Sequence, residues 1–316
     1  MSAGRWASRS GGRWGVVLAA LPLYALAALP LCACNEDDVV TLGRAVPDPR
    51  FGDEGRPVAG LNDSQDQTAP SLTEDLLEIY FTSIREGTGK GDIWHARRPT
   101  RVAAFAPAEF VNEVSTTAQE VNPVISRDGL TLWIASDREG GLGGLDIWRA
   151  ERGSRNSAWS EPFNVSELNS PSDDIPRPLA QGELVMPFAS RRDGAEYQTY
   201  LAYRPAVDAP FSGDFERVEL PREEGGGVSG GFLSEDGRML FFHREGSDAG
   251  DLYLAWRRSP SEPFQSPIGL AGVNTMALER DPWVSADQTR FFFASSRLTG
   301  RGFDIFATTL DLPVFE

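Results

Sequence analysis

The sequence predicts an all-β protein whose short strands form five four-stranded sheets, set as blades around an axis. Three observations carry this. One phrase of about 53 residues recurs five times, each copy breaks into short apolar runs divided by turn residues, and the second run of each copy is apolar almost without alternation. A strand covered on one face alternates, so runs such as Met239-Leu240-Phe241-Phe242 and Phe291-Phe292-Phe293-Ala294 are covered on both. Sheets stacked face to face in a ring meet that requirement, which is the architecture of a five-bladed β-propeller.

The chain opens on a different kind of segment. Residues 1–15 hold three arginines and no acid, and 16–31 are apolar, uncharged and broken by Pro22 and Pro30. Such a run has the charge pattern of a secretory signal and is short for a membrane span, which needs about 20 apolar residues. It ends in Leu31-Cys32-Ala33-Cys34, ahead of the polar Asn35-Glu36-Asp37-Asp38. The expected organisation is a signal peptide over 1–33, a tether over 34–50 and a propeller over 51–316. No cysteine follows Cys34, which excludes a disulfide, a thiol nucleophile or a Cys-ligated metal in the folded part.

The second copy shows the phrase most clearly: Asn122-Pro123-Val124-Ile125-Ser126-Arg127-Asp128-Gly129, an apolar run to Ala135, then Ser136-Asp137-Arg138 and, past a glycine-rich loop, Asp146-Ile147-Trp148. Its opening position is filled by Pro70, Pro123, Pro176, Gly231 and Pro282, and its closing position by Asp92, Asp146, Gln198, Asp251 and Asp304. Two separate marks keep one period. The third copy departs most, with Leu179 and Gln181 where the second has Ser126 and Asp128. A Ser-x-Asp-Gly turn joins the first strand to the second, the Asp-led run makes the third, and segments like Phe163-Asn164-Val165 make the fourth. Arg56 to Asn62 matches such a fourth-strand segment, and the last copy has none after Thr308. The N-terminal strand is therefore expected to complete the last blade and leave no open edge.

The recurring phrase, Pro-x-x-Ser-x-Asp-Gly, apolar run, Ser-x-Arg, Gly-rich loop and Asp-Ile-aromatic, resembles the WD40-like propeller repeat of the TolB C-terminal domain and of many bacterial periplasmic lipoproteins. The resemblance covers residues from about Arg56 onward and implies the propeller fold. TolB has six blades and a further N-terminal domain, so its role is not carried over. Leu31 to Cys34 likewise resembles a bacterial lipobox, with Cys34 as the lipidated residue and Cys32 standing where Ala, Ser or Thr is usual. The implied address is extracytoplasmic, lipid-anchored to the cell membrane or outer membrane.

Composition narrows the function. With 46 acidic against 30 basic residues and a net charge of -16, the surface repels phosphate backbones and anionic lipid. No nucleic acid is an expected partner. The two histidines, His95 and His243, fall at different repeat positions, so neither a zinc site nor a Ser-His-Asp arrangement is read, and no cofactor is expected. Charged residues recur at one mouth of the ring. Arg85, Arg138, Arg192, Arg244 and Arg297 start the loop after the second strand; Asp66, Glu120, Asp173, Asp174, Glu279 and Asp281 lie around the start of the first. This ring is the expected binding face, or else a set of structural ties within and between blades. The expected function is a non-catalytic platform for an envelope protein or glycan. The alternatives are a glycoside-hydrolase-like enzyme, whose acid and base would break the repeat at Asp173-Asp174 or Glu223-Glu224, and a structural subunit of an envelope complex.

Overall fold

A computed structural model of the chain describes residues 49–85, 90–221, 228–244, 250–298 and 302–312. The signal segment and Cys34 lie outside the described residues. Every regular element in the described part is a strand, and the strands form five antiparallel sheets in sequence order. Blade one holds Gln67–Leu72, Glu78–Ser83, Asp92–Arg97 and Glu109–Phe110. Blade two repeats it with Glu120–Ile125, Thr131–Ser136, Asp146–Glu151 and Phe163–Asn164. Blade three has Asp174–Pro176, Val185–Ser190, Gln198–Tyr203 and Phe215–Arg217. Blade four has Val228–Leu233, Met239–Arg244, Leu252–Trp256 and Ile268–Gly269. Blade five has Glu279–Val284, Arg290–Ser295 and Asp304–Asp311.

On the outer side of Asp304–Asp311 lie two short strands from the other end of the chain. Arg56 and Pro57 pair with Ala307 and Phe306, and Arg50 and Phe51 pair with Asp311 and Leu310. Asn62 then bonds the backbone of Ile305 twice, at 2.8 and 2.9 Å. Asn169 and Asn274 make the same double bond to Ile147 and Leu252 in blades two and four.

The second strands are buried on both faces, as their composition requires. In blade two, Leu132 and Ile134 pack with Tyr80 and Ile93 of blade one, while Trp133 between them packs with Phe188 and Tyr200 of blade three. Side chains of one strand thus feed two inter-blade cores. Between blades four and five, Phe241, Phe291, Phe293 and Phe306 form a run of aromatic rings whose centroids stand 5.7–5.8 Å apart. Full burial of a Phe contributes on the order of 2 kcal/mol, so this interface alone is a large part of the holding energy.

The innermost strands carry one irregularity with a clear cause. Four of them bulge at the same place, where Ala69, Asn122, Gly230 and Asp281 sit in the left-handed region with φ of 50, 51, 71 and 51°. The bulge bends the strand along the narrow axis. A neighbour catches the displaced N–H of three of them: Asn122 donates to Thr82 Oγ1 at 2.9 Å, Ala69 to Asp281 Oδ2 at 3.2 Å and Asp281 to His243 Nδ1 at 3.3 Å. Blade three has no bulge at this place, because Pro176 pairs directly with Phe188; its irregularity falls later, at Pro178 and Leu179. Its turn is also displaced: Ala180, not Leu179, occupies the place of Ser126, its N–H meeting Val185 O as Ser126 N–H meets Thr131 O.

Candidate functional site

The charges expected at one mouth are brought together there, and they are spent on each other. In blade two, Glu120 at the head of the first strand is fully buried and faces Ser136 at the tail of the second. It accepts from Thr116 N–H at 2.9 Å, Thr116 Oγ1 at 2.7 Å, Ser136 Oγ at 3.0 Å and Arg138 at 3.1 Å. Arg138 also donates to Ser136 Oγ at 3.0 Å and to the Val114 carbonyl at 2.5 Å, with its guanidinium 5.3 Å from the Trp148 ring. Burial draws that guanidinium below its ordinary pKa, and Glu120 opposes the shift.

Blade five repeats the cluster, and blade three repeats it with Asp174 for the glutamate and Ser170 for the threonine. Arg192 reaches Asp174 at 2.7 Å, Ser190 at 2.9 Å and the Leu168 carbonyl at 2.6 Å; Arg297 reaches Glu279 at 3.1 Å, Ser295 at 2.8 Å and the Val273 carbonyl at 2.6 Å. Blade one keeps the logic with the parts exchanged. Gln67 replaces the acid, and Asp63, in the place of Thr116, supplies the carboxylate to Arg85 at 2.6 Å while Gln67 Nε2 donates to Asp63 at 2.7 Å. The four loop residues whose carbonyls accept from these arginines, Leu61, Val114, Leu168 and Val273, are all fully buried, so the arginines pin that loop onto the sheet.

Blade four corrects the sequence alignment. Its register pairs Val228 with Arg244 and His243 with Leu252, which puts Arg244 at the position of Ser83, Ser136, Ser190 and Ser295 and not at that of the other four arginines. Val228 takes the place of the acid. The acid and the serine are therefore both replaced here, and the Arg244 guanidinium lies 4.8 Å from the Tyr253 ring. Counting arginines by identity hid a two-residue offset that only strand pairing reveals.

The remaining predicted acids have separate tasks. Asp66 accepts the Phe303 N–H at 2.7 Å and Asp173 the Leu145 N–H at 3.0 Å, in each case just ahead of the third strand of the preceding blade. Asp173 also takes Arg191 at 3.1 Å and the Tyr197 hydroxyl at 2.9 Å. Asp281 is in the axial channel, buried, 3.5 Å from Arg177 of blade three and 3.1 Å from Arg280. Burial alone would raise its pKa; Arg280, His243 and Arg177 hold it down at about 2. His243 beside it is buried and pushed down to about 3, so its ring is neutral and accepts the bulge N–H. Asp146, the acid of Asp-Ile-aromatic, accepts the Leu142 and Gly143 N–H groups of the glycine-rich loop. Among the described residues no group of three or more His, Cys, Asp or Glu is placed to hold a metal ion.

The opposite mouth holds features that the sequence reading missed. Arg98, Arg152, Arg204 and Arg257 follow the third strands, each with its guanidinium 4.4–4.8 Å from the aromatic seven residues on, Phe105, Trp159, Phe211 and Phe264. Each Nε donates to a carbonyl of the turn before the second strand, at 2.7–2.8 Å. The signal was an Arg-x6-aromatic pair recurring at the same period. On this face a pocket opens at the axis, lined by Phe232, Phe241 and Trp283 and rimmed by Glu74, Arg127, Glu183 and Glu235.

No protein-family model matches this sequence, and no curated protein does. Solved structures do. A thermostable family-43 glycoside hydrolase is 13% identical with a TM-score of 0.55, over 83% of this chain and 93% of that one. The catalytic domain of a Coprinopsis cinerea family-62 α-L-arabinofuranosidase is 11% identical at 0.55, over 83% and 96%. TolB from Acinetobacter baumannii is 15% identical at 0.47, over 78% of this chain and 55% of that one, so the chain spans about half of that TolB. The likenesses to the two glycosidase domains show the fold. The chain is a five-bladed β-propeller, similar in architecture to those domains.

Proposed function

We propose that this chain is an extracytoplasmic lipoprotein, anchored through Cys34, whose propeller is a non-catalytic platform for an envelope protein or glycan. In this reading the strand from Arg56 to Asn62 completes blade five and closes the ring. The observation that carries the platform is the commitment of the mouth's charges: Glu120, Asp174 and Glu279 are fully buried and each held by an arginine of its own blade. Glycoside hydrolysis needs one carboxyl free to give a proton and a second free to act on the sugar or a water. At this mouth the carboxylate nearest the axis is Asp281, which two arginines share; Glu223-Glu224 lie outside the described residues. Beside exposed acids such as Glu113 and Glu139, the described loops of this mouth present apolar side chains outward. Ile84, Leu142, Met276 and Leu278 stand exposed on blades one, two and five, which adjoin in the ring. Exposed apolar groups clustered on one face mark a contact surface.

The fold likeness to family-43 and family-62 glycosidases favours the second reading, an enzyme acting on a glycan. One experiment separates the two. The platform reading expects Met276→Asp with Leu142→Asp to abolish capture of a crosslinked envelope partner while the melting temperature holds, and expects no turnover of aryl arabinofuranosides or xylosides. Turnover that disappears with Asp281→Asn would support the enzyme instead.

A further inference from the structure

The axial pocket on the face of the first turns is assembled from the residues that the repeat leaves free to vary. In the turn Ser/Thr-x-Asp the outer two residues are fixed by chemistry: Ser126 Oγ donates to Asp128 at 2.6 Å, Ser234 to Asp236 at 2.6 Å, Ser285 to Asp287 at 2.6 Å and Thr73 to Asp75 at 2.7 Å. The middle residue is not used by the turn. In four blades it lines the pocket, as Glu74, Arg127, Glu235 and Ala286. Four blades hold this turn constant and vary its middle residue, so the chemistry at the axis is set separately from the frame that carries it.

The site has an apolar floor and an uneven rim. Phe232 stands between Phe241 and Trp283, with ring centroids 6.4 and 6.3 Å away in edge-on contact, and Leu72, Ile125 and Val284 complete the floor. Three carboxylates, Glu74, Glu183 and Glu235, face one guanidinium, Arg127, which is paired with Glu235. Glu183 is the unusual member. It exposes only 8% of its surface, accepts one bond, from the Arg127 N–H at 2.6 Å, and forms no ion pair with any described arginine. Its other oxygen takes no hydrogen bond from the described residues. This carboxylate, nine-tenths buried beside an apolar floor, has no direct ion pair; burial raises its pKa, while the Arg127 N–H and the charges of Arg204 and Arg127 oppose the shift.

We propose that this pocket binds an organic monocation with an apolar body, a primary ammonium or guanidinium whose charge meets Glu183 and whose hydrocarbon part lies on Phe232 and Trp283. Charge and floor both select it: a bare metal ion gains nothing from the aromatic floor, and a neutral aromatic leaves Glu183 unpaired. The proposal concerns the mouth opposite the platform's contact face and does not depend on that reading.

The test uses the full mature chain and two probes, phenethylamine and the dipeptide acetyl-Phe-Arg-amide, with 2-phenylethanol as the uncharged control. Binding is followed by calorimetry and by amide shifts around Gly182, Ser234 and Ala286. Phenethylamine is expected to bind at least tenfold tighter than the alcohol. Glu183→Gln should lower its affinity about tenfold. Arg127→Met, which removes the competing cation, should raise it severalfold. These opposite signs are outside the reach of a purely structural role. Tighter binding of the dipeptide than of the amine would assign the cation to a peptide side chain, and the reverse to a small amine. Equal affinity for amine and alcohol, or amide shifts confined to the other mouth, overturns the proposal. If Glu183→Gln unfolds, the sign of the Arg127→Met effect decides alone.

Discussion

Replacing Arg138 with methionine tests the ties most sharply. The side chain lost is a guanidinium that is mostly buried against Trp148, and the group left behind, Glu120, is fully buried. Removing one partner of a buried ion pair costs about 3–5 kcal/mol. Glu120 keeps three donors, Thr116 N–H, Thr116 Oγ1 and Ser136 Oγ, which offset part of that. The expected loss is therefore about 2–4 kcal/mol, a fall in melting temperature of roughly 5–15 °C for a domain of this size. Adding Glu120→Gln should recover about 1–2 kcal/mol of the summed single losses, because the second change removes the stranded charge. Urea denaturation of the four-member cycle gives these values. An Arg138→Met protein within 0.5 kcal/mol of its parent, or a cycle that is strictly additive, would refute the reasoning.

Three other outcomes follow from the same geometry. His243 has its folded pKa lowered from 6.5 to about 3, so it contributes stability that is present above pH 6.5 and is lost as pH falls below it. His243→Gln should flatten the stability curve between pH 6 and 4 by up to about 1.4 kcal/mol per unit, measured by urea midpoints; parallel curves would contradict a neutral buried imidazole. Glu78, buried at the blade one and two interface and bonded to Arg152 at 2.7 Å, is held at about 2 by His95 and Arg152 against the upward push of burial. Its contribution is present above pH 4.5 and lost toward pH 2, so Glu78→Gln should lose most at neutral pH and converge with the parent near pH 2 in thermal melts. Deleting Arg56 to Asn62 removes the fully buried Leu61 and two side-chain bonds to Ile305, and should cost on the order of 4 kcal/mol; an unchanged melting temperature contradicts closure by that strand.

Much of the fold was legible because the repeat writes the same physics five times. The uninterrupted apolar runs gave two-sided burial, and the Ser-x-Asp turns appear as hydrogen-bonded turns in blades two, four and five. Arg85, Arg138, Arg192 and Arg297 meet Asp63, Glu120, Asp174 and Glu279 at one mouth, whereas Asp281 lies in the axial channel. Their pairing was not legible, since the partner of Arg138 lies 18 residues back across the first hairpin and its third contact, the Val114 carbonyl, leaves no trace in side-chain identity. Arg244 misled because a recurring residue type was matched where only strand register separates the positions. The second arginine set was visible in the spacing of Arg98, Arg152, Arg204 and Arg257 but carries no chemistry until the aromatic under each is seen. The axial pocket was beyond reach, because Glu74, Arg127, Glu183 and Glu235 meet only when the ring is closed.

Photocrosslinking in intact cells tests the platform most directly. A benzoyl-phenylalanine placed at Leu142 or Met276, on the proposed contact mouth, is compared with one at Val102, an exposed site in the loop between the third and fourth strands, which opens on the other face. The account predicts one discrete crosslinked partner from Leu142 and Met276 and none from Val102. Crosslinks of equal yield from all three positions, or none from any, would contradict it.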